Sequence, residues 1–243
     1  MDNKIPFDPS WVKIYIDFVS FWIRMISFFL RCYGRKAYKP AKEIILSIGE
    51  LYKMASVVYK KNLSTTKRPF YIARPHFLLI HLVDPHLMCV PSLHIMVAVF
   101  TYRIFEKTAR QFADEKNLKE QIDEMKYGAL AISQSVLYVK QHSVNCIPAA
   151  LYAMTCYCPE LFPPEEAENF TKMLFSPVPA SINVKINYAF HPDFSSSLKI
   201  CETDQAQIKK YILDLYRRFL KERETSKSWE DPILKFLCEL PVL

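Results

Sequence analysis

From Asp8 to Cys32 nearly every residue is apolar, and the exceptions are regularly spaced. Lys13, Asp17, Ser20, Arg24, Ser27 and Arg31 recur at intervals of 4, 3, 4, 3 and 4. That rhythm puts all six on one narrow stripe of an α-helix and leaves a broad face of Trp, Phe, Ile, Val, Met and Leu. Asp8-Pro9 supplies an N-cap and a first-turn proline, so the helix is predicted from there to about Cys32. Charges inside the run argue against a membrane span. Two placements remain. The helix packs into a core along its wide face, or it lies in a bilayer interface with Arg31, Arg35, Lys36 and Lys39 on anionic headgroups.

A second helix is predicted over 41–62, with Ile44, Ile45, Ile48, Leu51, Ala55 and Val58 on one side. Residues 76–105 are largely apolar, with a break at Pro91. Residues 106–126 are rich in charge and read as a solvated connector, with a helix as one form it can take. Residues 127–157 form another apolar stretch, interrupted around Lys140-Gln141-His142 and at Pro148. After Pro159 the chain turns polar. Residues 176–204, with Pro177, Pro179, Pro192 and three consecutive serines, read as an extended surface segment. Ile208, Ile212, Leu215 and Phe219 then mark a helix over 205–223. The pattern predicts an all-α single domain over 1–243: an amphipathic N-terminal helix in 1–40, a core in 41–158, and a polar C-terminal extension with helices in 159–243.

Composition narrows the function classes. With 51% hydrophobic residues the chain is rich for a soluble protein and poor for a multi-span membrane protein. The net charge is +7, and between Arg31 and Arg74 eleven Lys or Arg stand against Glu43 and Glu50. Such a region suits an anionic membrane surface or a phosphorylated small molecule or lipid. No nucleic-acid motif accompanies it, so nucleic acid is not an expected partner. Seven cysteines, an odd number, without a secretory signal peptide imply reduced thiols. The expected location is the cytoplasm or the periphery of a membrane. Only Gly34, Gly49 and Gly128 are glycines, which excludes a glycine-rich phosphate loop.

Candidate chemistry lies in three blocks. Pro91-Ser92-Leu93-His94 opens an apolar helix, whose N-terminal N–H groups form a seat for phosphate. Upstream, Lys61 and Arg68-Pro69 share a spacing with Lys67 and Arg74-Pro75. Downstream comes Lys140-Gln141-His142. A phosphoryl-transfer site without metal needs cations, a nucleophile and a proton donor, and these residue types are all present. A metal set of His142, Cys146 and Cys156 or Cys158 has suitable ligand types but matches no standard spacing. No cofactor is implied.

Taken together, KNLSTTKRP (61–69), VPSLH (90–94) and VKQHSVNC (139–146) resemble the three signature motifs of the type 2 phosphatidic acid phosphatase superfamily. That superfamily includes lipid phosphate phosphatases, bacterial acid phosphatases and vanadium haloperoxidases. The leucine of PSLH, Asp84-Pro85, Cys89 and the KQH are most similar to its inositol phosphorylceramide synthase-like branch. The resemblance spans residues 60–155. It implies a helical bundle of the phosphatidic acid phosphatase / vanadium haloperoxidase type and metal-independent hydrolysis of a phosphate monoester, with a lipid phosphate the favoured substrate. His142 would attack phosphorus and form a phosphohistidine, and His94 would protonate the leaving group. Ser92, Lys140, Arg68 or Arg74, and Lys61 or Lys67 would hold the phosphate oxygens, with the 61/68 register favoured by the gap to the second block.

Two positions depart from the family pattern. Val136 stands where an arginine is usual, and Cys146 stands where an aspartate orients the nucleophilic histidine. Elsewhere, loss of such a carboxylate costs about four orders of magnitude in turnover. A thiol is a poor acceptor, so Asp84 or a backbone carbonyl would have to serve instead. Two alternatives therefore stand beside the phosphatase: a catalytically impaired protein that binds phosphate or anionic lipid, and a transferase passing the phosphoryl headgroup to an alcohol.

Overall fold

In a computed structural model, which describes residues 1–69, 71, 77, 80, 87–112, 117–179 and 200–241, Asp8 caps the first helical run. Its Oδ1 accepts from the Ser10 backbone N–H at 2.9 Å and from the Ser10 hydroxyl at 2.6 Å. A 3-10 turn (Pro9–Trp11) leads into α1 (Val12–Ile16) and α2 (Phe18–Tyr33). The polar stripe is not buried at any of its six positions. Phe21, Met25, Ile26 and Phe29 are buried, and the Phe28 and Phe29 rings lie against Phe105. The aromatic face of this helix packs into the core.

A 3-10 turn (Gly34–Ala37) leads to α3 (Tyr38–Lys61). Ala41, Ile44, Ile48, Leu51, Ala55 and Val58 are buried at alternating intervals of 3 and 4. Ile45 was expected among them, but it lies about 100° round the helix from Ile44 and is 51% exposed.

The centre is α4 (Leu93–Gln111), whose residues Ile95 to Phe100 are all buried. A helix apolar on every side must be surrounded, and α4 packs on α2, α3, α5 (Lys119–Tyr138) and α6 (Cys146–Tyr157). Burying side chains of this size contributes roughly 1.5–3 kcal/mol each. Within the expected connector at 106–126, residues 106–111 end α4 and 119–126 begin α5, and Gln121 and Glu124 are buried rather than solvated; residues 113–116 lie outside the described residues. The segment's other described charges are exposed or half-buried while Glu124 is buried, a distinction that composition alone does not resolve. Pro148 does not interrupt α6, because it falls in the first turn, where its missing N–H costs nothing.

Three further helices follow. They are α7 (Pro164–Met173), α8 (Glu202–Arg223) and α9 (Asp231–Glu239). Ile208, Ile212, Leu215 and Phe219 are the buried face of α8, as their spacing predicts. This face packs on α6: Thr155 shares a 2.9 Å hydrogen bond with Tyr216, and the Phe219 ring lies beside Tyr152. The nine helices named above contribute to one helical bundle and one apolar core. Residues 180–199 of the expected extended segment lie outside the described residues. Among the described residues, no helix is long and apolar enough to cross a membrane.

Candidate active site

The third block begins where α5 ends. The Lys140 N–H donates to the Leu137 carbonyl and the Gln141 N–H to the Val136 carbonyl, both at 3.1 Å. This is the Schellman pattern, in which the residue after the C-cap turns left-handed. Glycine usually fills that place, but here Lys140 takes it with φ of 57°, at a cost of about 1 kcal/mol. The His142 N–H also donates to the Val136 carbonyl, at 3.1 Å. The chain thus reverses tightly and carries His142 back over the end of α5. Val136, where the resemblance leads one to look for an arginine, is fully buried.

His142 is held by the residue just before the second block. Its Nδ1 lies 3.0 Å from the Cys89 carbonyl oxygen. A carbonyl only accepts, so Nδ1 carries the proton and the neutral ring has its lone pair on Nε2. The Cys89 thiol in turn donates to the Gln141 carbonyl at 3.5 Å. Cys89 therefore grips consecutive residues of the third block from both its backbone and its side chain. His94, in the first turn of α4, stands edge-on to His142 with 5.4 Å between ring centroids. Tyr15 stacks on His94 at 4.5 Å and Phe18 covers it at 4.1 Å. Ser92 occupies the N-cap position of α4, but its hydroxyl caps nothing: the Oγ is buried and has no hydrogen-bond partner among the described residues. Such an orphaned donor calls for an explanation.

The first block is stitched to the second by Ser64. Its N–H donates to the Leu87 carbonyl and its carbonyl accepts from the Cys89 N–H, both at 3.1 Å. Its hydroxyl accepts from the Val90 N–H at 2.9 Å. The three blocks therefore converge through Ser64, Cys89 and His142.

A cavity of about 500 Å³ opens beside them. Its wall includes Lys67, Arg68, Lys140 and His142, with Ser64, Ser143 and Asn145 adding polar groups. Lys61 is elsewhere. It forms a 2.8 Å ion pair with Glu230, which sits just before α9. Arg74 lies outside the described residues, as do Asp84 and the histidines 76, 81, 86 and 191.

The N-terminal turn enters this cavity. Asp2 lines it, and its Oδ1 accepts from the Val144 N–H at 2.7 Å. The Lys140 ammonium donates to the carbonyls of Asp2 (2.8 Å) and Ile5. Burial lowers the Lys140 pKa, with the Asp2 charge opposing. Lys4 ties the turn to Asp204 on α8.

Cys146 is fully buried at the start of α6, and burial raises its thiol pKa well above the usual value. Its sulfur lies 3.9 Å from the Ser143 hydroxyl. The roles of Cys89, Ser64 and Asp2 were not anticipated, because two of them act largely through backbone groups, which leave no mark in a side-chain pattern. Among the described residues, no group of three His, Cys, Asp or Glu side chains converges to hold a metal. The chain matches no family model, no curated protein and no solved structure.

Proposed function

We propose that this protein is a metal-independent phosphatase acting on a phosphate monoester, with a lipid phosphate the favoured substrate. The observation that carries this reading is the clamp on His142, which fixes Nδ1–H on the Cys89 carbonyl and assigns the lone pair to Nε2. In the first step Nε2 bonds to phosphorus while the ester P–O bond breaks. His94 donates its proton to the leaving alkoxide. In the second step water attacks the phosphohistidine, the P–N bond breaks, and the water's proton passes to His94. Lys67 and Arg68, with the orphaned Ser92 hydroxyl, supply positive charge and a donor for the phosphate oxygens. A carbonyl orients the imidazole without offering it a full negative charge, so turnover is expected to be slow. An anionic membrane is the expected partner.

A second reading, phosphate binding without turnover, is favoured by one observation: the Lys140 ammonium is already taken up by two backbone carbonyls.

The test is phosphate release from a panel of lipid and soluble monoesters by wild type and His142→Ala. The expected result is release by wild type, loss of about three orders of magnitude or more in the variant, and an acid-labile phosphoryl label on wild type alone. Phosphate binding with no release by either protein would establish the second reading instead.

A further inference from the structure

Packing the aromatic face of α2 inward leaves a different apolar strip outside. Ile16, Val19, Ile23 and Leu30 recur at 3, 4 and 7 residues, one residue to the side of the polar stripe. The first three are exposed, at 39 to 45%. On α3, Tyr38, Ile45 and Tyr52 recur every 7 residues and are also exposed. Leu30 links the two stripes, because it shares a shallow apolar hollow with Tyr38, Ala41, Ile45 and Leu46. Ile45 and Leu46 are 51% and 59% exposed, although each is large enough to reward burial. Exposed apolar side chains gathered on two neighbouring helices mark an interaction site.

The charge around this strip says what it meets. Arg31, Arg35, Lys36, Lys39 and Lys42 are all exposed, and among the described residues none of them forms an ion pair. From Arg31 to Gly49 the single acid is Glu43. Lysine is depleted at protein–protein interfaces, whereas unpaired lysines beside an apolar strip suit anionic headgroups. The exposed tyrosines, each with an apolar ring and a polar tip, suit the same boundary.

We infer that the outer face of α1–α3 docks on an anionic bilayer, with Ile45, Leu46 and the α2 strip entering the headgroup boundary and the five cations holding lipid phosphates. This goes beyond an anionic membrane as an expected partner by assigning the face. It does not depend on the chemistry proposed for His142. The docking helices also back the site: Tyr15 and Phe18 stack on His94, while their neighbours Ile16 and Val19 face outward.

The experiment is co-sedimentation of the full chain with vesicles of phosphatidylcholine alone or mixed with phosphatidylserine. Wild type is compared with Ile45→Ser/Leu46→Ser, with Lys36→Glu/Lys39→Glu/Lys42→Glu, and with His142→Ala. All the strip substitutions fall on exposed positions, and circular dichroism melts check that the variants fold. The inference expects binding to the mixed vesicles that weakens in high salt. It also expects a loss on the order of tenfold or more in each strip variant, and unchanged binding by His142→Ala whether or not that residue supports turnover. Equal binding to both vesicle types would overturn it, as would strip variants that bind like wild type. A wild type that ignores vesicles but self-associates through the strip would also overturn it, in favour of an interface between copies of the chain.

Discussion

The Nδ1 of His142 lies 3.0 Å from the carbonyl oxygen of Cys89. The position four residues after the histidine, where the resemblance leads one to look for the orienting group, holds a buried thiol. Orientation comes instead from a residue 53 positions earlier in the chain.

This relationship predicts the outcome of restoring the carboxylate. Cys146 has no exposed surface and sits among apolar residues. A charged Asp there would be buried without a cation, and Cys89 already holds Nδ1. Cys146→Asp is expected to lose stability on the order of 3 kcal/mol, seen as a lower urea midpoint, without a gain in phosphate release. A variant as stable as wild type and faster would mean that the thiol site has room for a carboxylate.

Lys140 combines a strained backbone with a useful ammonium. Lys140→Gly relieves the left-handed turn, while Lys140→Ala keeps it. Both remove the hydrogen bonds to Asp2 and Ile5. Lys140→Gly should therefore be more stable than Lys140→Ala by about 1 kcal/mol in urea unfolding. Equal midpoints would show that the turn carries no such strain.

Asp2 places a carboxylate on the Val144 N–H, inside the cavity where a phosphate would have to sit. Removing that charge should help an anion to enter. Asp2→Asn is expected to bind inorganic phosphate about tenfold more tightly by calorimetry, the size expected of a like charge a few ångströms away. Unchanged or weaker binding would show that Asp2 does not compete with the anion.

Burial shapes the alkaline limb of stability. It pushes the Cys158 thiol up to about 12 and raises Cys146, Tyr138 and Tyr152 as well. In the unfolded chain thiols release protons from about pH 9 and tyrosines from about pH 10. There the unfolded chain binds fewer protons than the folded one, so stability is full below pH 9 and falls as pH rises. Lys140 and Lys209, lowered by burial, act in the opposite sense, but they are fewer. Melting temperature should therefore drop steadily above pH 9. A flat profile would mean that these hydroxyls and thiols reach water in the folded protein.

Much of the bundle was legible because burial imposes a period. The stripe from Lys13 to Arg31 and the face from Ile208 to Phe219 follow from spacing alone, and the Asp8 cap from residue type. Ile45 was misplaced because a pair such as Ile44-Ile45 does not say which member faces the core. The helices α7 and α9 were expected only as unplaced helices of the C-terminal extension, although each has proline in its first turn, because each is only 9 or 10 residues long. In the site, the nearness of His94 and His142 agrees with their motif positions. Lys61 has a motif position too, yet its partner is Glu230, a long-range ion pair that local spacing cannot reveal. The hydrogen bonds of Ser64 and Cys89 run mainly through backbone groups, which every residue type shares.

The cavity draws its wall from both extremes of the sequence, with Asp2 and Asn3 on one side and Leu240 and Pro241 on the other. A fragment carrying all three blocks would therefore lack part of that wall. Labels or bulky substitutions at Asp2, Asn3, Leu240 or Pro241 would stand beside the chemistry rather than at a neutral distance. A surface-exposed handle away from it, such as a label on Cys32, leaves the wall as the chain builds it.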